Sequence, residues 1–115
     1  MRVTKLDERK NMEAERRKDA ARKLIEQLRR YALEHSGRFH VFGSAATGMV
    51  RHDSDFDVLV DFPPEAEHDA FTFVEELCGT LRLPLDALSS RTMSERFMRR
   101  NRATMTTLGE ERPVA

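Results

Sequence analysis

Cysteine is nearly missing from this chain: Cys78 stands alone, which excludes an internal disulfide and any cysteine-based zinc site. Long hydrophobic runs are missing too. None approaches the roughly 18–20 apolar residues that a membrane span requires. The N-terminus is charged, without a basic stub leading into an apolar stretch, so no signal peptide is expected and the cytoplasm is the expected compartment. Net charge is also lacking, because 20 Lys and Arg balance 20 Asp and Glu. The balance is uneven along the chain, however. Residues 1–38 carry 12 basic and 7 acidic side chains, residues 39–88 carry 2 and 10, and residues 89–115 carry 6 and 3. An acidic centre between basic flanks argues against a general nucleic-acid binder, whose core would be basic. It suits a domain that gathers carboxylates around a cation.

What is present is enough for one compact domain. The 115 residues are 39% hydrophobic and 35% charged, and Phe39, Val41, Phe42, Val58, Leu59 and Val60 cluster strongly enough to seed a core. Residues 1–12 have no apolar period and read as a charged, loosely attached lead-in. From Glu13 to His35 the pattern is helical, with Ala21, Leu24, Ile25, Leu28, Tyr31 and Ala32 on one face and Gly37 closing the helix. Phe39–Phe42 and Asp55–Phe62 read as strands, the second ended by Pro63-Pro64; Ala45–Val50 reads as a turn or short helix. Glu67–Leu81 is helical, Leu83–Leu88 is a third strand, and Ser94 caps a last helix running to Met105. The expected domain covers residues 13–108, with 109–115 as a tail. This order predicts an α/β (α+β) fold: a short mixed sheet flanked by helices.

The chemistry is concentrated in Phe42-Gly43-Ser44-Ala45-Ala46-Thr47-Gly48 and in Asp53-Ser54-Asp55-Phe56-Asp57-Val58-Leu59-Val60. Asp55 and Asp57 lie two apart at a strand, so both side chains leave one face. Paired carboxylates repel unless a cation sits between them, and hard oxygen donors favour Mg²⁺ or Mn²⁺ over zinc. Gly43-Ser44 falls where a strand ends, a place where glycine lets the backbone approach a phosphate closely and serine adds a hydroxyl. Asp86 is the one acidic residue on an expected strand outside 55–62, and so the candidate third carboxylate. Other motifs fail on spacing. A calcium loop starting at Asp53 would need glycine at Val58 and glutamate at Pro64; a Walker loop from Gly43 would need Lys-Ser/Thr at Met49-Val50; Gly-x-Gly-x-x-Gly is absent. Asp61 reads as a solvated strand end. No two of His35, His40, His52 and His68 stand at metal-ligand spacing, and Cys78 reads as a buried thiol.

Gly43-Ser44, the ten-residue spacer Ala45–Ser54, Asp55-x-Asp57 and the apolar run Val58-Leu59-Val60 resemble the signature of the DNA polymerase β-like nucleotidyltransferase superfamily. The short chain is most similar to its minimal nucleotidyltransferase (MNT) group. The resemblance implies that Asp55, Asp57 and Asp86 bind divalent metal and serve catalysis, and that Gly43 and Ser44 hold the β- and γ-phosphates. It also implies in-line attack on the α-phosphate of a nucleoside triphosphate, most plausibly ATP, with transfer of AMP to an acceptor hydroxyl. Relatives of this kind are often antitoxins of small helical HEPN proteins, some adenylylating the HEPN partner, which makes a protein acceptor the expectation and nucleic acid the less favoured one. At 115 residues no additional nucleic-acid-gripping domain is expected, which favours the same acceptor. One departure is Ala45 and Thr47, which stand where many relatives carry arginine. Two alternatives stay open: an MNT-fold module that neutralises its partner by contact alone, and a transferase acting on RNA. The assembly state is open as well.

Overall fold

The computed structural model describes residues 5–43 and 49–109. Helix α1 (Lys5–Glu34) leads into strands β1 (Arg38–Phe42) and β2 (Phe56–Asp61), helix α2 (Pro64–Leu81) and strand β3 (Leu85–Ser89). A strap follows, made of a 3₁₀ turn (Ser90–Thr92), the short helix α3 (Glu95–Asn101) and a second 3₁₀ turn (Arg102–Thr104), before strand β4 (Thr106–Gly109). The sheet is mixed, with order β3-β2-β1-β4. β1 pairs antiparallel with β2 and β4, whereas β2 and β3 run parallel because α2 carries the chain back across the sheet.

One face of the sheet carries the core. Phe39, Val41, Phe56, Val58, Val60 and Leu108 are buried together there, against Ala20, Ala21, Leu24, Leu28 and Ala32 of α1 and Ala70, Val74 and Cys78 of α2. The alanines let α1 approach the strands closely, and the three- and four-residue spacing keeps its apolar stripe on the sheet. At the open end of this layer Tyr31 stacks on Phe73, with ring centroids 4.2 Å apart, and Phe39 meets Phe62 at 5.0 Å. Cys78 is buried, which pushes its thiol up to about 11.

Several boundaries differ from the sequence expectation. α1 begins at Lys5 rather than Glu13, and residues 5–12 are helical with every side chain exposed, so local propensity alone shapes them. The left-handed residue after α1 is Ser36 (φ 56°), not Gly37. Gly37 is needed for another reason, since a Cβ there would strike the Phe62 ring. β2 starts at Phe56, so Asp55 lies just ahead of the strand and not within it. Helix α3 ends at Asn101, and its Ser94 cap accepts from the Phe97 N–H at 3.1 Å as expected. β4 was not foreseen, and Gly109, expected to open a tail, closes this strand. Ser44 and the turn or short helix expected at Ala45–Val50 fall wholly or mostly outside the described residues.

Candidate active site

The parallel pairing of β2 with β3 sets Asp57 directly beside Asp86. Neighbours in register share a face, so both carboxylates leave the sheet on the side away from α1 and α2. Asp55 stands two residues before Asp57, exposed at the end of the turn that enters β2. That turn is pinned from three directions. The Arg51 N–H donates to Ser54 Oγ at 2.7 Å, the Ser54 N–H donates to the Arg51 carbonyl at 3.2 Å, and Arg17 of α1 donates to the Ser54 carbonyl at 2.8 Å. Arg17 is itself held by Glu13, which also receives Arg16; the two guanidiniums hold the Glu13 carboxyl down to about 2.

The carboxylates feel one another. Asp57 is raised above its ordinary value, first because burial penalises its charge and then because Asp86 and Asp55 add like charge. Among the described residues no three carboxylate, histidine or cysteine side chains close into a ready-made metal-ligand group. The donor chemistry of Asp55, Asp57 and Asp86 nevertheless fits a hard divalent cation, since carboxylate oxygens are hard donors.

Gly43 follows Phe42 at the end of β1, and Phe42 is the register partner of Asp57. Its φ of +71° is a conformation that side-chain-bearing residues rarely adopt, and a Cβ built there would lie 4.0 Å from Asp57 Oδ2. A turn therefore begins at Gly43, immediately beside the carboxylate. Ser44, the other expected phosphate contact, lies outside the described residues.

A cleft of about 300 Å³ opens over this end of the sheet, floored by Phe42, Asp57, Leu59 and Asp86 and walled by Phe97 and Asn101 of α3. Phe97 meets Phe42 edge-on at 5.8 Å, and Asn101 Nδ2 donates to the Phe97 carbonyl at 2.9 Å. Neither wall residue was anticipated as part of the site. The available signal was their four-residue spacing, which places both on the same side of a short helix.

The opposite end of the same face holds a polar chain. His40 is buried, and its Nε2 lies 2.9 Å from Asp61 Oδ2 while Nδ1 lies 3.0 Å from Thr107 Oγ1. Ser90 donates to Asp61 Oδ1 at 3.2 Å. An ionised Asp61 can only accept, so the ring donates to it through Nε2. Asp61 is thus a fastening and not the solvated strand end expected, and it is held below its ordinary value chiefly by His40. It joins Ser90, where the strap begins, through His40 to Thr107, just beyond the strap's end.

No helix among the described residues is long and apolar enough to cross a membrane. No curated protein and no solved structure matches the chain. Residues 21–103 match the family model of the nucleotidyltransferase domain, a span that takes in the C-terminal part of α1, both strands bearing the carboxylates, and the strap helix. The match agrees with the mixed sheet and its helices, and supports transfer of a nucleotidyl group as the general activity. On that match, which covers well over half of its length, the chain belongs to the nucleotidyltransferase-domain family of the polymerase β-like superfamily.

Proposed function

We propose that the protein transfers a nucleoside monophosphate, AMP from ATP, to a hydroxyl on a partner protein, as the MNT antitoxin of a HEPN/MNT pair. The observation that carries the transferase part is the juxtaposition of Asp57 with Asp86 across β2 and β3, with the Gly43 turn beside Asp57. In this reading Asp55, Asp57 and Asp86 would hold divalent cations, Mg²⁺ or Mn²⁺. When bound, such ions supply positive charge that stabilises the crowded oxygens of phosphoryl transfer. Gly43 and Ser44 orient the β- and γ-phosphates. The acceptor oxygen bonds to the α-phosphorus in line, the bond from that phosphorus to the bridging oxygen breaks, and pyrophosphate leaves with the electron pair. Asp86, exposed at the cleft rim, takes the hydroxyl proton. A protein acceptor is favoured over nucleic acid because residues 39–88 carry 10 acidic and 2 basic side chains, a field that repels a phosphodiester backbone.

The test is label transfer from α-³²P-ATP with Mg²⁺ or Mn²⁺, offering a HEPN-type protein encoded beside this chain and bulk RNA as acceptors. Label on the protein, lost by at least about 10³-fold in Asp57→Ala, is the expected result; a change of that size corresponds to roughly 4 kcal/mol of transition-state stabilisation. Label on RNA alone would overturn the acceptor assignment. No label anywhere, with the partner still bound and inhibited, would overturn catalysis in favour of a contact-only binding module.

A further inference from the structure

The strap carries arginines that the site described so far does not use. Arg91 is committed to Glu67 at 2.8 Å and to the Phe62 carbonyl at 3.2 Å, and Arg99 reaches Glu95 at 3.8 Å. Arg96 and Arg100 differ. They stand four residues apart on α3, so both point to one side of it, and with Ser94 and Phe97 they line a second concavity of about 330 Å³. Neither has an ion-pair partner among the described residues. Like charges at this spacing repel one another.

The second concavity adjoins the carboxylate cleft, because Phe97 lines both. Carboxylates and guanidiniums therefore line neighbouring clefts with one ring in common, and among the described residues no salt bridge joins them. A ligand that brings a cation to one cleft and phosphate oxygens to the other would satisfy both at once. Of the other cations near the site, Arg17 holds Glu13 and the Ser54 carbonyl, Arg51 leans toward Asp53 at 3.9 Å, and Arg102 lines a different concavity with Glu95 and Arg99. We propose that Arg96 and Arg100 grip the phosphate oxygens of a nucleoside triphosphate's polyphosphate tail, in the concavity that shares Phe97 with the carboxylate cleft. The inference rests on the nucleotidyl-transfer reading and adds to it the residues that neutralise the nucleotide.

Equilibrium binding of a fluorescent, non-hydrolysable ATP analogue to the full chain with Mg²⁺ tests this without turnover. Competition by AMP, inorganic tripolyphosphate and RNA identifies the part of the ligand that is held. The double variant Arg96→Gln/Arg100→Gln is expected to weaken analogue and tripolyphosphate binding about 10–50-fold and AMP binding less than about 2-fold, as loss of two charge-assisted contacts implies. Arg96→Lys/Arg100→Lys should recover part of the loss, since charge returns without the planar fork. Both positions are exposed, so circular dichroism should show the fold retained. Unchanged analogue affinity in the glutamine variant, while Asp57→Asn abolishes the Mg²⁺ dependence, overturns this inference and leaves the functional reading standing. Loss of RNA competition with analogue affinity intact also overturns it, assigning the arginines to an acceptor's phosphates. A wild-type chain that binds no triphosphate with either cation overturns both.

Discussion

On one face of the sheet, Phe39, Val41, Phe56, Val58, Val60 and Leu108 disappear beneath two helices; on the other, a strap without a single buried residue crosses above Phe42, Leu59, Asp57 and Asp86. The same strands serve both, because alternate residues point to opposite sides. The packed face supplies the apolar burial that holds the strands in register. The register in turn decides that Asp57 meets Asp86 and that Phe42 and Gly43 lie beside them. The strapped face buries Phe42 and Leu59 beside His40 and gives its remaining positions to carboxylates and open clefts. A rigid layer beneath a lightly covered one is a suitable arrangement for a ligand that must enter and leave.

Substitutions on the two faces should separate stability from function. Phe39→Ala removes a fully buried ring from the packed face and is expected to cost about 3–5 kcal/mol, enough to unfold much of the population at physiological temperature. Phe97→Ala removes a ring of similar size from a half-exposed strap. Its expected cost is about 1 kcal/mol or less, while triphosphate binding, which uses the shared wall, weakens strongly. Urea denaturation beside analogue titration checks the contrast. Equal destabilisation by the two variants would mean that the strap belongs to the core.

Legibility in the sequence followed the same division. Every α1 residue assigned to the apolar face is buried or packed against the core, because a long amphipathic period survives small errors of boundary. The motif itself was legible, since Asp57 and Asp86 needed only two strands and the crossover between them to meet. The strapped face was harder to read. β4 is four residues long, and Thr106-Thr107-Leu108-Gly109 shows too little alternation to mark a strand; it exists because β1 offers it an open edge. Asp55 was placed inside the strand since Asp-x-Asp alternates, yet the turn pinned by Arg17 holds it just outside. His40 could not be paired with Asp61 or Thr107 before the register of three strands was known.

That polar chain gives a smaller effect with a definite sign. Asp61 is held below its ordinary value of 3.8, so protonating it costs the folded state more than the unfolded chain. Its contribution is complete above the ordinary value and is lost as pH falls through 3.8 toward the lowered one. With the Asp61 side chain 41% exposed, solvent screening keeps that contribution to about 0.5–1 kcal/mol. Urea midpoints of wild type and Asp61→Asn should therefore differ at pH 6 and draw together as pH falls through 3.8 toward the lowered value. A gap that persists at acid pH would show that the lost interaction is packing around His40 and not the charge.

The smallest expected effect runs the other way, and it bears most directly on what the strapped face is for. Asp57 is raised, so its ionised form is more costly in the fold than in the unfolded chain, and stability is lost as pH rises through its folded value. At neutral pH without divalent cation, Asp57→Asn should then make the protein more stable, since the amide keeps the shape and removes one charge facing Asp86. The side chain is only partly buried, which holds the gain under about 1 kcal/mol and the rise in melting temperature to about 2 °C. Adding Mg²⁺ or Mn²⁺ should reverse the order, because only the wild-type carboxylates can then bind a cation in the folded state and gain stability by mass action. A residue kept for packing would not behave in this way. If Asp57→Asn is the less stable protein with and without the cation, the charge is part of the scaffold, and the division of labour between the two faces fails at its most informative position.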